Sequence, residues 1–105
     1  MYKSRNLKKI KNIKEGAPDA MAAFVAFDKL AMAEGAIPKK YKELIALAVT
    51  FTTQCAYCIE VHSASARRAG VTDVEISEAI AVTMTLRAGG ALAHGTHAFE
   101  SEQTD

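Results

Sequence analysis

The run from Leu44 to Gln54 contains no charged residue, and a second uncharged run extends from Ala79 to Leu86. A helix that is apolar on every side must be covered on every side, because a surface helix keeps one polar face for water. The chain has 105 residues, enough for one domain, and half of them are hydrophobic. A chain of this size folding alone leaves a large share of its surface in contact with water. The two runs therefore predict a homo-oligomer whose subunits cover one another's apolar faces.

Helical signals fill the rest of the sequence. Alanine is abundant, and no polar–apolar alternation is long enough for a strand. The expected architecture is a single all-α bundle spanning residues 1–105, with residues 1–16 as an N-terminal arm or short helix and 100–105 as a frayed polar tail. Leu7, Ile10 and Ile13 stand at helical spacing in the arm, which Gly16-Ala17-Pro18 ends. Pro18 opens a helix to about Glu34, closed by Gly35 as a C-terminal glycine. Pro38 opens the next, to about Thr52. A third starts near Gln54 and ends at Gly70. Thr72 and Glu75 have capping-box spacing for a fourth. Gly89-Gly90 is expected to kink that helix and leave 91–99 as a separate short one.

Charge excludes some classes of function. With 13 basic and 12 acidic residues the net charge is +1, so no global field favours nucleic acid or an anionic membrane. Lys3, Arg5, Lys8, Lys9, Lys11 and Lys14 cluster at the N-terminus and read as a solvated first helix or arm. No stretch is apolar enough to span a bilayer, and no apolar run or cleavage site follows the basic arm. A cytoplasmic location follows as an expectation. There both cysteines start as thiols, and a pair three apart is catalytic or metal-binding more often than structural.

The segment Cys55-Ala56-Tyr57-Cys58-Ile59-Glu60-Val61-His62 concentrates the chemistry. At about 100° per residue, Cys55, Cys58, Ile59, His62, Ala66 and Ala69 share one stripe, with Glu60, Ser63 and Arg67 opposite. A helix N-terminus and an adjacent imidazole both favour a thiolate, the form that attacks. A second thiol nearby traps a sulfenic acid as a disulfide before it oxidises further. A buried cysteine alone is often only a small hydrophobe, and a lone core histidine often only satisfies a hydrogen bond. Those readings weaken when two cysteines and a histidine share a stripe. Zinc competes, with His94 and His97 joining Cys55 and Cys58 as ligands. It ranks below redox chemistry, because so apolar a helical chain needs no metal to fold. Glu43 stands at the start of the uncharged helix. It is either a base or proton relay, or an exposed first-turn glutamate beside Lys39, Lys40 and Lys42. Twelve residues of unbroken helix would hold it ~18 Å from Cys55, so only a chain reversal brings them together.

From Glu43 to about His97 the chain resembles the alkylhydroperoxidase AhpD-like, or carboxymuconolactone decarboxylase, superfamily. The pattern is Glu43, then Leu44-Ile45-Ala46-Leu47-Ala48-Val49, then Cys55-Ala56-Tyr57-Cys58 and His62, with Ala69-Gly70-Val71-Thr72-Asp73-Val74-Glu75-Ile76 downstream. The resemblance implies an AhpD-like helical bundle, often a homotrimer or homohexamer. It also implies a proton-relay site made of Glu43, Cys55, Cys58 and His62. The sequence departs from the better-studied alkylhydroperoxidases at Tyr57, where they carry a second histidine.

The expected activity is hydroperoxide reduction through a dithiol/disulfide cycle, with Cys58 as nucleophile, Cys55 as resolving thiol, and Glu43 and His62 moving protons. No flavin or nicotinamide fingerprint is present, so no bound cofactor is expected and electrons come from an external dithiol. The resemblance points to a dihydrolipoyl group or a thioredoxin-like protein as that partner. General disulfide reduction and a non-catalytic, thiol-sensing oligomeric binding protein are the alternatives. Lactone decarboxylation, the family's other named activity, fits less well, because its decarboxylases look as though they lack the cysteine pair.

Overall fold

A computed structural model describes residues 2–99, and among these every regular element is a helix. A 3-10 turn at Ser4–Lys9 leads into α1 (Ile10–Gly16) and α2 (Pro18–Met32); α3 (Lys39–Thr53), α4 (Ala56–Arg68) and α5 (Asp73–Gly95) follow, and a second 3-10 turn covers Thr96–Ala98. The all-α expectation holds. The polar tail expected from Glu100 lies outside the described residues.

Local chemistry explains most boundaries. Pro18 sits in the first turn of α2, where its missing N–H breaks no bond. Thr72 and Glu75 form the predicted capping box at the start of α5: each side chain takes the other residue's backbone N–H, at 2.9 and 3.1 Å. Gly70 adopts φ +89° after α4, a conformation that favours glycine.

Three expected boundaries change. Gly35 does not close α2, which ends at Met32. Its last carbonyls are capped from the next helix instead: Lys42 Nζ donates to Ala31 O at 2.9 Å and Ala33 O at 2.6 Å, and Lys39 Nζ to Met32 O at 3.3 Å. A cation at a helix C-terminus offsets the dipole as a glycine turn cannot. α4 starts at Ala56 rather than near Gln54, because Gln54 takes the left-handed conformation (φ 56°, ψ 40°) and Cys55 is extended. α5 runs unbroken through Gly89-Gly90, so 91–99 is not a separate helix. The glycines lower helix propensity without removing a hydrogen bond, and the flanking helix formers carry the pattern across them.

The left-handed Gln54 folds α4 back along α3, and this hairpin with α5 builds the core. Among the described residues, Leu47, Ala66 and Val71 are the buried apolar ones, ringed by Leu44, Phe51 and Ile76. Glu43, Leu47 and Thr50 mark the inward side of α3, while Ile45 and Val49 on its outer side are 52% and 53% exposed. The uncharged run is thus covered on one face only within a single chain. α5 has no buried residue, and Val82, Met84 and Leu86 lie open. On α2, Phe27 and Leu30 are 69% and 76% exposed. The chain exposes 8338 Å², whereas a folded monomer of its mass exposes about 5,700 Å². Its radius of gyration is 18.2 Å, against about 13 Å for a compact domain of this length.

Candidate functional site

Cys55 and Cys58 are joined as a disulfide, with their Cα atoms 5.2 Å apart. Cys55 is the N-cap of α4 rather than a member of its first turn. Its extended backbone turns the sulfur over the helix end, where Sγ accepts the Cys58 N–H at 3.2 Å. A backbone donor and the positive end of the helix dipole therefore face the Cys55 sulfur. Cys58 is inside the helix, with His62 one turn further on and on the same side.

The hairpin supplies the chain reversal that Glu43 needed. Glu43 is 3% exposed, which removes the reading of it as a solvated first-turn glutamate. Its Oε2 lies 3.6 Å from His62 Nδ1 and its Oε1 3.6 Å from Lys39 Nζ. Oε2 and Nδ1 are both buried, and neither has a hydrogen-bond partner. Unmet buried polar atoms typically cost about 1–3 kcal/mol each. The two atoms face one another just beyond hydrogen-bonding distance. The structure thus brings Glu43 to His62 across the hairpin, and helical spacing puts His62 one turn from Cys58.

Tyr57 stands apart from this group. Its hydroxyl oxygen accepts the Asn6 side-chain amide at 2.9 Å and the Lys3 backbone N–H at 3.1 Å, and its ring lies 4.6 Å from that of Tyr2. These donors, Asn6 first, hold the phenol below its ordinary pKa. Ser4 Oγ donates to Glu60 one turn along. The basic arm is therefore fastened to the outer side of α4. Sequence reasoning missed this, because nothing within the arm marks Asn6 or Lys3 as a partner for a tyrosine some fifty positions away.

His94 and His97 stack edge to face with centroids 4.9 Å apart near the end of α5. Among the described residues, no three His, Cys, Asp or Glu side chains are arranged to hold a metal ion. The four-ligand set weighed from the sequence is therefore not assembled. No helix among the described residues is long and apolar enough to cross a membrane.

A second group was also missed. Lys39, Glu43, Ser65, Arg68 and Ala69 line an open cavity of about 360 Å³ between α3 and α4. The signal was present as helical spacing: Ser65 and Ala69 continue the line of Cys58 and His62 along α4.

Comparison with known proteins places this geometry among relatives. The sequence profile of the Carboxymuconolactone decarboxylase family matches residues 18–101. "Uncharacterized protein 4 in cox locus" of Paracoccus denitrificans is 50% identical over 76 residues, covering 72% of this chain and 68% of the relative. An uncharacterized protein of Cupriavidus necator is 32% identical over 75 residues, covering 71% and 66%. The chain thus spans about two thirds of the length of these relatives. Among solved structures, a protein from Methanobacterium thermoautotrophicum superposes with a TM-score of 0.78 at 31% identity, covering 84% of this chain and 99% of that one. A carboxymuconolactone decarboxylase family protein from Legionella pneumophila, solved in its apo form, superposes with a TM-score of 0.75 at 28% identity, covering 88% and 82%.

Proposed function

Because the chain belongs to the carboxymuconolactone decarboxylase family, we propose that its cysteine pair works as a thiol-dependent peroxidase, reducing hydroperoxides at the expense of an external dithiol. The observation that carries this reading is the alignment of a disulfide-forming pair at the start of α4 with His62 and the buried Glu43. The Cys58 thiolate attacks the terminal peroxide oxygen. The O–O bond breaks, the alkoxide takes a proton from the His62–Glu43 pair and leaves as an alcohol, and Cys58 becomes a sulfenic acid. Cys55 then attacks the Cys58 sulfur, the sulfenic oxygen leaves as water, and the disulfide forms. A dithiol partner, dihydrolipoyl or thioredoxin-like, reduces it by exchange and is itself left as a disulfide. The balance is one hydroperoxide and one dithiol converted to one alcohol, one water and one disulfide.

Peroxide consumption with dihydrolipoamide tests the reading on the wild type and on Cys55→Ser and Cys58→Ser. Steady turnover that both substitutions abolish supports it. Absence of turnover, with both thiols alkylatable after mild peroxide, overturns it. General disulfide reduction draws on the capped Cys55 sulfur, and turnover of a small disulfide with no peroxide turnover would select it. We further propose that the working form is a homo-oligomer, supported by the apolar faces of α2, α3 and α5 that one chain leaves open.

A further inference from the structure

We propose that the cavity between α3 and α4 holds the carboxylate of the peroxide substrate, so that the enzyme prefers hydroperoxides of carboxylic acids over uncharged ones. This deepens the peroxidase reading and rests on it for the word substrate; the binding site itself does not.

Two cations and one hydroxyl converge on the cavity. Lys39 Nζ stands 3.6 Å from Glu43 Oε1 at one wall, and Arg68 Nη2 donates to Ser65 Oγ at 3.1 Å at the other. Among the described residues Arg68 has no carboxylate partner, whereas its neighbour Arg67 pairs with Asp73 at 3.0 Å. Lys39 and Arg68 set against the single carboxylate of Glu43 leave an excess positive charge, which an anionic ligand would balance. A guanidinium grips a carboxylate through two parallel N–H bonds, and a hydroxyl beside it adds a third donor. At about 360 Å³ the cavity is of small-molecule size.

The buried wall ties this cavity to the chemistry. Glu43 lines it, is 3% exposed, and has an oxygen without a hydrogen-bond partner. A ligand there touches the residue that faces His62. Spacing along α4 then sets the shape of the substrate. Ser65 and Arg68 lie further along the helix than Cys58 by roughly 10 and 15 Å. A carboxylate held at Arg68 therefore calls for a peroxide group about 10–15 Å away along an extended chain, as in the hydroperoxide of a long-chain fatty acid.

Two measurements decide it. The first compares kcat/KM for linoleic acid hydroperoxide and for its methyl ester, which share every atom but the charged head. The expected ratio of acid to ester is about tenfold or more in the wild type, close to one in Arg68→Gln, and partly restored in Arg68→Lys. A wild-type ratio near one overturns the proposal even if both peroxides are consumed. The second is calorimetric titration of the oxidised full-length protein with octanoate, which needs no turnover. Saturable binding that weakens about tenfold in Arg68→Gln supports the site. Absence of saturable binding overturns it. Octanoate binding with neither peroxide consumed would leave the carboxylate site standing and remove the peroxidase reading instead.

Discussion

The two sulfurs of the disulfide differ in their surroundings. Cys55 receives a backbone N–H at the helix end, and Cys58 lies one turn from His62. The cap favours a thiolate at Cys55, which resolution requires, and the imidazole serves the attack at Cys58. Cys55→Ser is therefore expected to accumulate sulfenic acid at Cys58 after one equivalent of peroxide, and Cys58→Ser to accumulate little. A dimedone-type trap read by mass spectrometry distinguishes them; labelling at Cys55 reverses the assignment. Glu43→Gln keeps the shape of the side chain and removes its charge, and should slow oxidation of Cys58 by about a hundredfold. Stopped-flow thiol loss at an unchanged dichroism spectrum checks this, and an unchanged rate makes Glu43 a packing residue. At this scale the sequence was legible where partners lie within one or two helical turns, as with Cys55, Cys58 and His62. Glu43 was ambiguous because its partner sits across a reversal made by a left-handed Gln54, a conformation that glutamine seldom signals. The Tyr57 latch and the Arg68 cavity depend on helix packing and were not legible.

Helix ends and helix continuity behaved differently as signals. The Thr72–Glu75 box could be read from four residues because its bonds are local, whereas the end of α2 depends on lysines that arrive from α3. Thr72→Ala should cost about 1 kcal/mol, read as a lowered Tm. Glu75 is held below its ordinary value of 4.5, chiefly by the Thr72 backbone N–H and then by Lys40 at 3.1 Å. A carboxyl depressed on folding stabilises the protein above its unfolded value, and that contribution is lost as pH falls through the folded one. The Tm difference between wild type and Glu75→Gln should accordingly be largest at neutral pH and shrink below 4.5. Gly89 and Gly90 lie within the unbroken α5, and a Cβ added at either meets nothing within 4 Å in one chain. Alanine there should raise stability by about 0.5–1 kcal/mol. A loss of stability instead would show that another subunit packs against the glycines.

Across the whole molecule, surface outruns core. The chain exposes about 2,600 Å² beyond the norm for its mass, and its exposed large hydrophobics include Phe27 and Leu30 of α2, Ile45 and Val49 of α3, and Val82, Met84 and Leu86 of α5. Obligate subunit interfaces bury areas of this order. Light scattering coupled to size exclusion should therefore give a closed homo-oligomer at micromolar concentration, trimer or hexamer by family resemblance. A monodisperse monomer with a cooperative melt would show that these faces tolerate water. The sequence carried this expectation through its uncharged runs, though not which face each helix would leave open. The core of Leu47, Ala66 and Val71 has a thermodynamic consequence. Three buried apolar side chains among the described residues are few to hold a domain together, so in the proposed homo-oligomer folding and association form a single equilibrium. Its midpoint then moves with protein concentration. Serial dilution should lower the melting temperature step by step, and the Glu43–His62 pairing should loosen along with it. For such a protein, dilution itself acts as a denaturant.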